Sequence, residues 1–376
     1  MSAALAALGH DVDVVTTQLA HRGSWIKWPS AEDLIPMGVD RTVEQDGYRL
    51  VFCRPSWPTR WGTSLEMLMV LRRVIPAATI VHIHSLYLFH TLVASRLARR
   101  SRVPYVIRPH GTLDPYIRRR HRLLKKVYHG VIEDSTLRHA GAIHFTTPEE
   151  RDLASPVLPP GVETCVVPHG IDLKEFESLP TRTEARETLG MRDEQTIWLF
   201  LGRLNHKKGL DLLAPAFAEL SKRVHNSFLI VAGPDDDGLM PRFIEECRRG
   251  GVGDSVRCTG FLDRAQMKQV LAAADFWILP SYSENFGVAV VEAMAARLPV
   301  LVTDRVNIWR HIQASRAGVV TRAETASVLD GMHRLAQLSH RERAEMGRRG
   351  RELCRRSFSW EKTAQDLTAL YTRMVR

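Results

Sequence analysis

Two glutamates, Glu284 and Glu292, stand eight residues apart in a segment that changes from strand to helix character. The apolar run at residues 276–279 predicts a short buried strand, which Pro280 ends. Turn-forming residues follow, and residues 288–296 contain no glycine or proline, which favours a helix. We therefore expect Glu284 at or just before a helix N-terminus, where backbone N–H groups point outward.

The distance between the two carboxylates bears on their chemistry. Eight residues of helix span about 12 Å. The carboxyl groups of a glycosidase pair lie about 5 to 9.5 Å apart, so the spacing disfavours hydrolysis. A nucleotide sugar has a suitable length, with its sugar at Glu284 and its ribose at Glu292. A capping acid followed by a solvated helix face is the alternative that this pattern alone leaves open.

A basic turn, Gly-Arg-Leu-Asn-His-Lys-Lys-Gly, occupies residues 202–209. The apolar run before it, at residues 197–201, is typical of a strand covered on both faces. Apolar residues at helical spacing follow it at Leu210, Leu213, Phe217 and Leu220. Gly202, Arg203 and Lys208 thus lie in a strand-to-helix turn, where a diphosphate can bind. Taken alone, the turn indicates only a solvated loop, but the glutamate pair that follows it makes the pattern much more specific.

Together these segments resemble the retaining glycosyltransferases of family 4, or group 1 glycosyltransferases. The matching elements are Gly-Arg-Leu-x-x-x-Lys-Gly at 202–209, Leu-Ile-Val-Ala-Gly-Pro at 229–234, Glu-x7-Glu at 284–292 and Val-Val-Pro-His-Gly-Ile-Asp-Leu at 166–173. Residues 106–115, Val-Ile-Arg-Pro-His-Gly-Thr-Leu-Asp-Pro, are similar to the subset that builds exopolysaccharides and lipid-linked saccharides. The resemblance covers nearly the whole chain.

The resemblance implies an α/β protein of GT-B architecture, in which two Rossmann-like domains have parallel sheets facing across a cleft. Alternating strand and helix patterns agree with parallel sheets. We expect an acceptor-binding domain at 1–170, a nucleotide-sugar-binding domain at 171–358 and a terminal helix at 359–376 that packs back on the first domain. Strands are predicted at 12–16, 48–54, 79–83, 105–108, 142–145, 164–167, 196–201, 228–232, 256–259, 276–279 and 300–303.

The family also implies roles for individual residues in metal-independent, retaining transfer of a hexose from a nucleoside diphosphate, with no cofactor. Catalysis would rest on His110, Arg203, Lys208 and Glu284. The donor would be bound by Gly202, Arg203, Lys208, Glu284, Asn285, Phe286, Gly287 and Glu292. His84 and Gly111 are candidates on the side of a saccharide or lipid-linked acceptor, although packing explains His84 equally well.

The start of the chain departs from the family pattern, in which a strand and a Gly-rich turn precede the first helix. Here Met1 already lies in that helix. In the strand order 3-2-1-4-5 the first strand is central, so without it two neighbouring strands would stay unpaired. We expect that the start codon lies upstream or that the product is truncated. A non-catalytic GT-B protein that binds nucleotide sugar without turnover is the alternative function.

Composition and charge indicate in which compartment the protein works and which partners it can have. The chain has 376 residues, a net charge of +10 and five cysteines. The cysteines show no metal-ligand spacing, and no apolar run has the length of a membrane span. We therefore expect a cytoplasmic protein. The basic amphipathic segment 116–128 favours contact with an anionic membrane surface at the inner face, or else forms a solvated cationic helix. No nucleic-acid motif accompanies it, so we expect no nucleic-acid partner.

Overall fold

The structure is a computed structural model that describes residues 1–17, 42–115 and 133–375, apart from the side chain of Arg60. Its contacts divide the chain into two compact units. The first unit comprises Met1–Gly170 with Trp360–Arg376, and the second comprises Ile171–Ser359. Each unit is described by itself below.

The described helices alternate with the strands along the chain. The α-helices are α1 (Ser2–Ala7), α2 (Leu65–Val74), α3 (Phe89–Arg100), α4 (Asp134–Arg138), α5 (Pro148–Ala154), α6 (Arg182–Leu189), α7 (Leu210–Ser221), α8 (Met240–Arg249), α9 (Arg264–Ala273), α10 (Val288–Ala295), α11 (Trp309–Ala314), α12 (Thr325–Ala336), α13 (His340–Ser357) and α14 (Trp360–Val375). Short 3-10 helices lie at Thr59–Trp61, Ile75–Ala77, Ser155–Val157, Leu173–Phe176, His206–Lys208 and Gly253–Ser255. Across the described residues, no helix combines the length and apolar character that crossing a membrane requires.

The strands of the described ranges form three sheets. They are β1 (Asp13–Thr17), β2 (Thr42–Gln45), β3 (Tyr48–Cys53), β4 (Val81–His84), β5 (Tyr105–Arg108), β6 (Ala142–Phe145), β7 (Thr164–Val166), β8 (Thr196–Leu201), β9 (Ser227–Ala232), β10 (Val256–Gly260), β11 (Phe276–Leu279), β12 (Val300–Thr303) and β13 (Gly318–Thr321).

The first unit carries two of these sheets, ordered β1-β3-β2 and β4-β5-β6-β7. The second of them is parallel throughout, whereas β2 pairs with β3 in antiparallel fashion. Within the described residues, β1 and β4 each end their own sheet, and no strand joins the two. Among the described strands, the first unit therefore has two smaller sheets rather than a single Rossmann-like one.

The terminal helix α14 packs against the parallel sheet of the first unit. Its Ala364, Leu367 and Leu370 share a core cluster with Val106 of β5 and Ala142 of β6. Both strands are buried along their whole length, as continuous apolar strands covered on two faces are. The carboxyl ends of β4, β5 and β6 are thereby fixed side by side.

The second unit has one parallel sheet in the order β10-β9-β8-β11-β12-β13. This is the Rossmann order 3-2-1-4-5-6, in which the chain reverses direction across the sheet between its first and fourth strands. Those strands are β8 and β11, whose large side chains Trp198, Phe200 and Trp277 are fully buried. Ligands of such sheets bind beyond the carboxyl ends of these two strands.

The predicted α/β fold with two Rossmann-like units is confirmed, and the predicted strands lie within two residues of the observed ones. Two strands were missed, Thr42–Gln45 and Gly318–Thr321. The first is a polar edge strand without apolar alternation, but the Asp46-Gly47 turn that follows it, with both φ angles positive, is a hairpin signal. The second is a four-residue edge strand, too short to show a period.

Candidate functional site

Two loops meet where the central strands of the second sheet end. Gly209 closes the basic turn after β8 with φ at +70°, and a Cβ there would lie 2.0 Å from the carbonyl oxygen of Pro280 after β11. The N–H of Tyr282 donates a 2.7 Å hydrogen bond to the carbonyl of Lys207. Only glycine fits at position 209, because both the φ angle and the close approach exclude a side chain.

This contact brings Lys208 and Glu284 together, 76 residues apart in the chain. Their side chains form an ion pair and are only 16% and 20% exposed. The backbone of Glu284 is held by the loop after β12: its N–H donates to the carbonyl of Arg305 at 2.9 Å, and its carbonyl accepts from Asn307 at 3.0 Å. The glutamate is thus fixed from both sides at the switch point of the sheet.

Helix α10 begins just after this glutamate. Its N-cap is Gly287, with φ at +76°, and in the described chain no side chain caps the helix. The first N–H groups of a helix have no partner within it, so this end can receive an anion. The ring of Phe286 is buried and packs edge to face on Phe358, with ring centres 5.3 Å apart. Of the predicted donor residues, Phe286 therefore offers only its backbone.

Glu292 lies one turn further into α10, and its side chain is 16% exposed. Its Oε1 accepts a 2.8 Å hydrogen bond from Arg264, which also forms an ion pair with Glu175. Burial raises the pKa of Glu292, and the bond from Arg264 acts in the opposite direction. A fully solvated helix face is therefore wrong for Glu292. Arg264 was not predicted, although it is the first residue after the Asp263 cap of α9.

Arg203 extends from the same basic turn and remains 55% exposed. Its guanidinium contacts Asp236 at 3.2 Å. Gly202 joins the turn to the neighbouring strand, since its N–H donates to the carbonyl of Ala232 at 2.9 Å. Asp236 was missed by the sequence reasoning, but it belongs to a run of three aspartates just beyond β9, at the same edge of the sheet.

In the first unit, His84 and His110 lie together beyond the ends of β4 and β5. His84 is the register partner of Arg108 on β5, and its Nδ1 is 2.9 Å from Nε2 of His110. Burial is the main reason why the pKa of His84 is lowered to about 3, and the neighbouring His110 is the second reason. Desolvation and the charge of Arg108 lower the pKa of His110 in the same way. Both rings are neutral at pH 7.

Glu150 holds the turn that carries His110. The turn is left-handed at two successive residues, with φ of 54° at His110 and 74° at Gly111. The N–H of Gly111 donates to Glu150 at 2.8 Å, and the N–H and hydroxyl of Thr146 donate to its other carboxylate oxygen. Thr147 caps α5 by accepting from the Glu150 N–H, but the Glu150 side chain does not return that bond. Of the two hydrogen bonds of a capping box, only this one is therefore formed.

Replacing Glu150 by glutamine is expected to lower the free energy of unfolding of the first unit by about 1–3 kcal/mol. The carboxylate is 5% exposed, and an amide would place an N–H donor against a donor of Thr146 or Gly111. Urea denaturation, with hydrogen exchange of peptides from 105–115, measures the loss. Glu163→Gln, at a 56% exposed side chain of the same unit, is the control. A loss no larger than that of the control would contradict the role of Glu150.

A chain of polar side chains runs beneath the two histidines. The Tyr371 hydroxyl lies 2.6 Å from His82 Nδ1, His82 Nε2 lies 3.3 Å from His144 Nδ1, and His144 Nε2 lies 2.8 Å from the carbonyl of Val167. Because a carbonyl only accepts, each N–H must point towards Val167, and the tyrosine donates at the other end. Burial lowers the pKa of His144 to about 3 and that of His82 well below its ordinary value, so this chain is neutral.

The structure thus pairs Lys208 with Glu284 in the second unit and His84 with His110 in the first. Arg203 and Glu292 each contact a residue that was not predicted. The basic segment 116–128, named as a membrane-facing surface, lies outside the described residues. Within the described ranges, His, Cys, Asp and Glu side chains form no group of three that could hold a metal ion.

Solved structures with the same fold include proteins described as glycosyltransferases. A sucrose-phosphate synthase from Thermosynechococcus elongatus superposes with a TM-score of 0.74 and 21% identity, covering 99% of this chain and 91% of that one. An Anabaena protein, HepE, in complex with UDP and glucose, superposes with a TM-score of 0.69 and 16% identity over 86% of both chains. These similarities establish the class of fold, which is GT-B.

Sequence comparison gives the family. The model for Glycosyl transferases group 1 matches residues 181–353, and the model for a Glycosyl transferase 4-like domain matches residues 1–170. The two matches span nearly the whole chain, which therefore belongs to the group 1 glycosyltransferases, as its motifs predicted. A D-inositol 3-phosphate glycosyltransferase of Segniliparus rotundus is 33% identical over 221 residues, 56% of this chain and 47% of that protein. The chain spans about half the length of the curated relatives it matches first.

Proposed function

We propose that the protein transfers a hexose from a nucleoside diphosphate to a saccharide or lipid-linked acceptor, with retention of configuration. The observation that carries this proposal is the Lys208–Glu284 ion pair at the switch point of the second sheet, beside the N-terminus of α10. A cation, a carboxylate and outward N–H groups at that place suit a sugar and a diphosphate next to each other.

The donor would replace part of the existing ion pairing. Lys208 and Arg203 would bind the diphosphate, while Glu284 would turn to hydroxyl groups of the transferred sugar. Lys208 forms an ion pair with Glu284 and Arg203 with Asp236, so both cations are already oriented and charge-balanced. Glu292, now bound by Arg264, would accept hydrogen bonds from the ribose hydroxyls.

The negative charge that grows on the departing diphosphate would be stabilised by these cations and by the backbone N–H groups near Asn285, Phe286 and Gly287. We propose that this removes the need for a metal or a cofactor. A front-face substitution, in which the leaving phosphate helps to deprotonate the acceptor hydroxyl, gives retention without a carboxylate nucleophile. His110 would orient the sugar from the first unit, and His84 and Gly111 would lie on the acceptor side.

The reaction would take place in the cytoplasm or at the inner membrane face. We infer a cytoplasmic protein that builds polysaccharides or glycoconjugates. A lipid-linked acceptor would bring it to the inner membrane face, and the basic segment 116–128 would meet the anionic lipids. The Anabaena neighbour was crystallised with UDP, which makes uracil the first base to test.

Thermal denaturation with UDP, GDP, ADP and their sugar conjugates tests the donor site. Ligand at about 100 times its dissociation constant adds roughly 2.7 kcal/mol to folding, or a few degrees of melting temperature. We expect one nucleotide to give this shift and Glu292→Gln to remove most of it, because the amide cannot accept both ribose hydrogen bonds.

Glu245→Gln in the same unit is the matched control, since Glu245 pairs with two arginines of its own helix and is 42% exposed. It should leave the nucleotide shift unchanged. The absence of a shift with every nucleotide, in a protein that still unfolds cooperatively, would contradict the donor site. A shift without sugar transfer would favour the non-catalytic alternative.

A further inference from the structure

Arg108 is a buried cation that the function proposed above does not use. It is the last residue of β5, and its side chain is only 4% exposed. Its Nε has no hydrogen-bond partner among the described residues. Glu150 is the nearby acid that favours its charged form, but both carboxylate oxygens of Glu150 already accept hydrogen bonds from Gly111 and Thr146.

A guanidinium in this position carries an energetic cost. Removing an ion from water without a partner is unfavourable, and buried cations in proteins are normally paired. Burial lowers the pKa of Arg108 to about 10, which still leaves it charged at neutral pH. The positive charge is therefore permanent and incompletely compensated. An anion is the kind of ligand that would relieve this.

Apart from Glu150, the titratable groups beside Arg108 on β4 and in the turn after β5 are imidazoles. His84 is its register partner on β4, and His110 follows it by two residues. Among the charged groups that act on His110 and on the fully buried His144, Arg108 has the largest effect on the pKa, after desolvation. Neutral imidazoles can donate hydrogen bonds to an anion without adding repulsion. Part of His110 is exposed although its ring is largely desolvated, so this edge of the sheet reaches solvent at His110.

We infer that Arg108, with His84 and His110, forms a site for an oxyanion, a phosphate or a carboxylate, carried by the acceptor saccharide. A planar guanidinium fork matches both groups with two parallel hydrogen bonds. The inference rests on the proposed function, because it names the chemistry of the acceptor. It makes an anionic sugar a better acceptor than the neutral sugar of the same shape.

The test is a set of thermal-shift titrations of the full chain with glucose 6-phosphate, glucuronate, inorganic phosphate and glucose. We expect the three anions to stabilise the wild type and glucose to have no effect. Arg108→Met should weaken anion binding by about 10- to 100-fold, and Arg108→Lys should retain part of it. Arg138→Met, at an arginine of the same unit that is 52% exposed, should bind like the wild type.

Two further measurements separate the alternatives. Phosphate can also bind at the donor site, so Lys208→Met must keep the anion-induced thermal shift that Arg108→Met loses. If Lys208→Met loses the shift and Arg108→Met keeps it, the anion binds in the second unit and the inference is overturned. Equal shifts with glucose and glucose 6-phosphate would also overturn it. If Arg108→Met does not fold, Arg108→Gln and Arg108→Lys replace it. The inference then requires that Arg108→Gln loses the anion-induced thermal shift and that Arg108→Lys retains part of it.

The ligand-free melting temperature provides an independent readout. Arg108→Met should melt at or above the temperature of the wild type, because it removes an incompletely compensated charge; clear destabilisation would instead indicate a structural arginine. The nucleotide titration of Glu292→Gln concerns the second unit alone. Nucleotide binding without anion binding would therefore contradict the anion site but not the proposed function. Anion binding without nucleotide binding would contradict the proposed function but not the anion site.

Discussion

Replacing Lys208 by methionine is expected to lower the rate of sugar transfer by about 100- to 1,000-fold. Lys208 is the cation held against Glu284 at the switch point, and both side chains are more than three-quarters buried. In a site shielded from water, a fixed charge aimed at the leaving diphosphate stabilises the transition state more than the bound donor. The loss should therefore appear mainly in kcat, measured with the sugar nucleotide that the melting experiments select.

Two variants make this result specific. Lys208→Arg keeps the charge but changes its shape, so we expect a smaller loss than with methionine. Lys222→Met removes a lysine of the same unit that is 62% exposed and pairs with Glu219, and it should keep the wild-type rate. A Lys208→Met protein that folds and retains kcat within about threefold would show that this charge does not stabilise the leaving group.

Stability should fall steeply as the pH drops below about 6.5, because the first unit buries neutral histidines. Burial lowers the pKa of His144 to about 3 and that of His82 well below its ordinary value. Between about pH 6.5 and pH 3 the unfolded chain binds protons that the folded chain refuses. Each of these two histidines contributes about 1.4 kcal/mol per pH unit, and His84 and His110, whose pKa values are also lowered to about 3, add to the slope.

Urea denaturation between pH 7.5 and pH 5, with hydrogen exchange of peptides from β4 and β6, measures this slope and locates it. His144→Asn should be less stable at pH 7.5, because it loses the bond to Val167, but its slope should decrease by about 1.4 kcal/mol per pH unit. His340→Gln, at an exposed residue of the second unit, should keep the wild-type slope. An unchanged slope in His144→Asn would mean that His144 is protonated in the folded protein.

Local sequence was enough to predict the elements that carry the candidate site. The apolar runs before Gly202 and before Pro280 predicted β8 and β11, and the absence of breakers predicted α10. The glycine and cations of the basic turn and the two glutamates were recognised by their types and spacing. These signals lie within short stretches of sequence, because the spacing of apolar residues and the types of turn residues depend on residues only a few positions apart.

The partners of those residues could not be predicted in the same way. Arg264 contacts Glu292 across 28 residues, and Glu150 contacts Gly111 across 39. Each of these residues has a local explanation as well, one at the start of α9 and the other in a helix cap. Because the local role already explains why each residue stands where it does, the sequence does not indicate its second, long-range contact. Only the packed structure identified the contacts of Arg264 and Glu150.

The sequence by itself thus determined the family, the alternation of strand and helix, and the identity of the cations and carboxylates of the donor turn. The tertiary structure decided what each charge faces: Lys208 faces Glu284, whereas Arg108 faces neutral imidazoles. The reason is physical, because secondary structure follows from interactions a few residues apart, whereas the energy of a charge depends on burial and on every group nearby. That environment is assembled from strands and loops far apart in the chain.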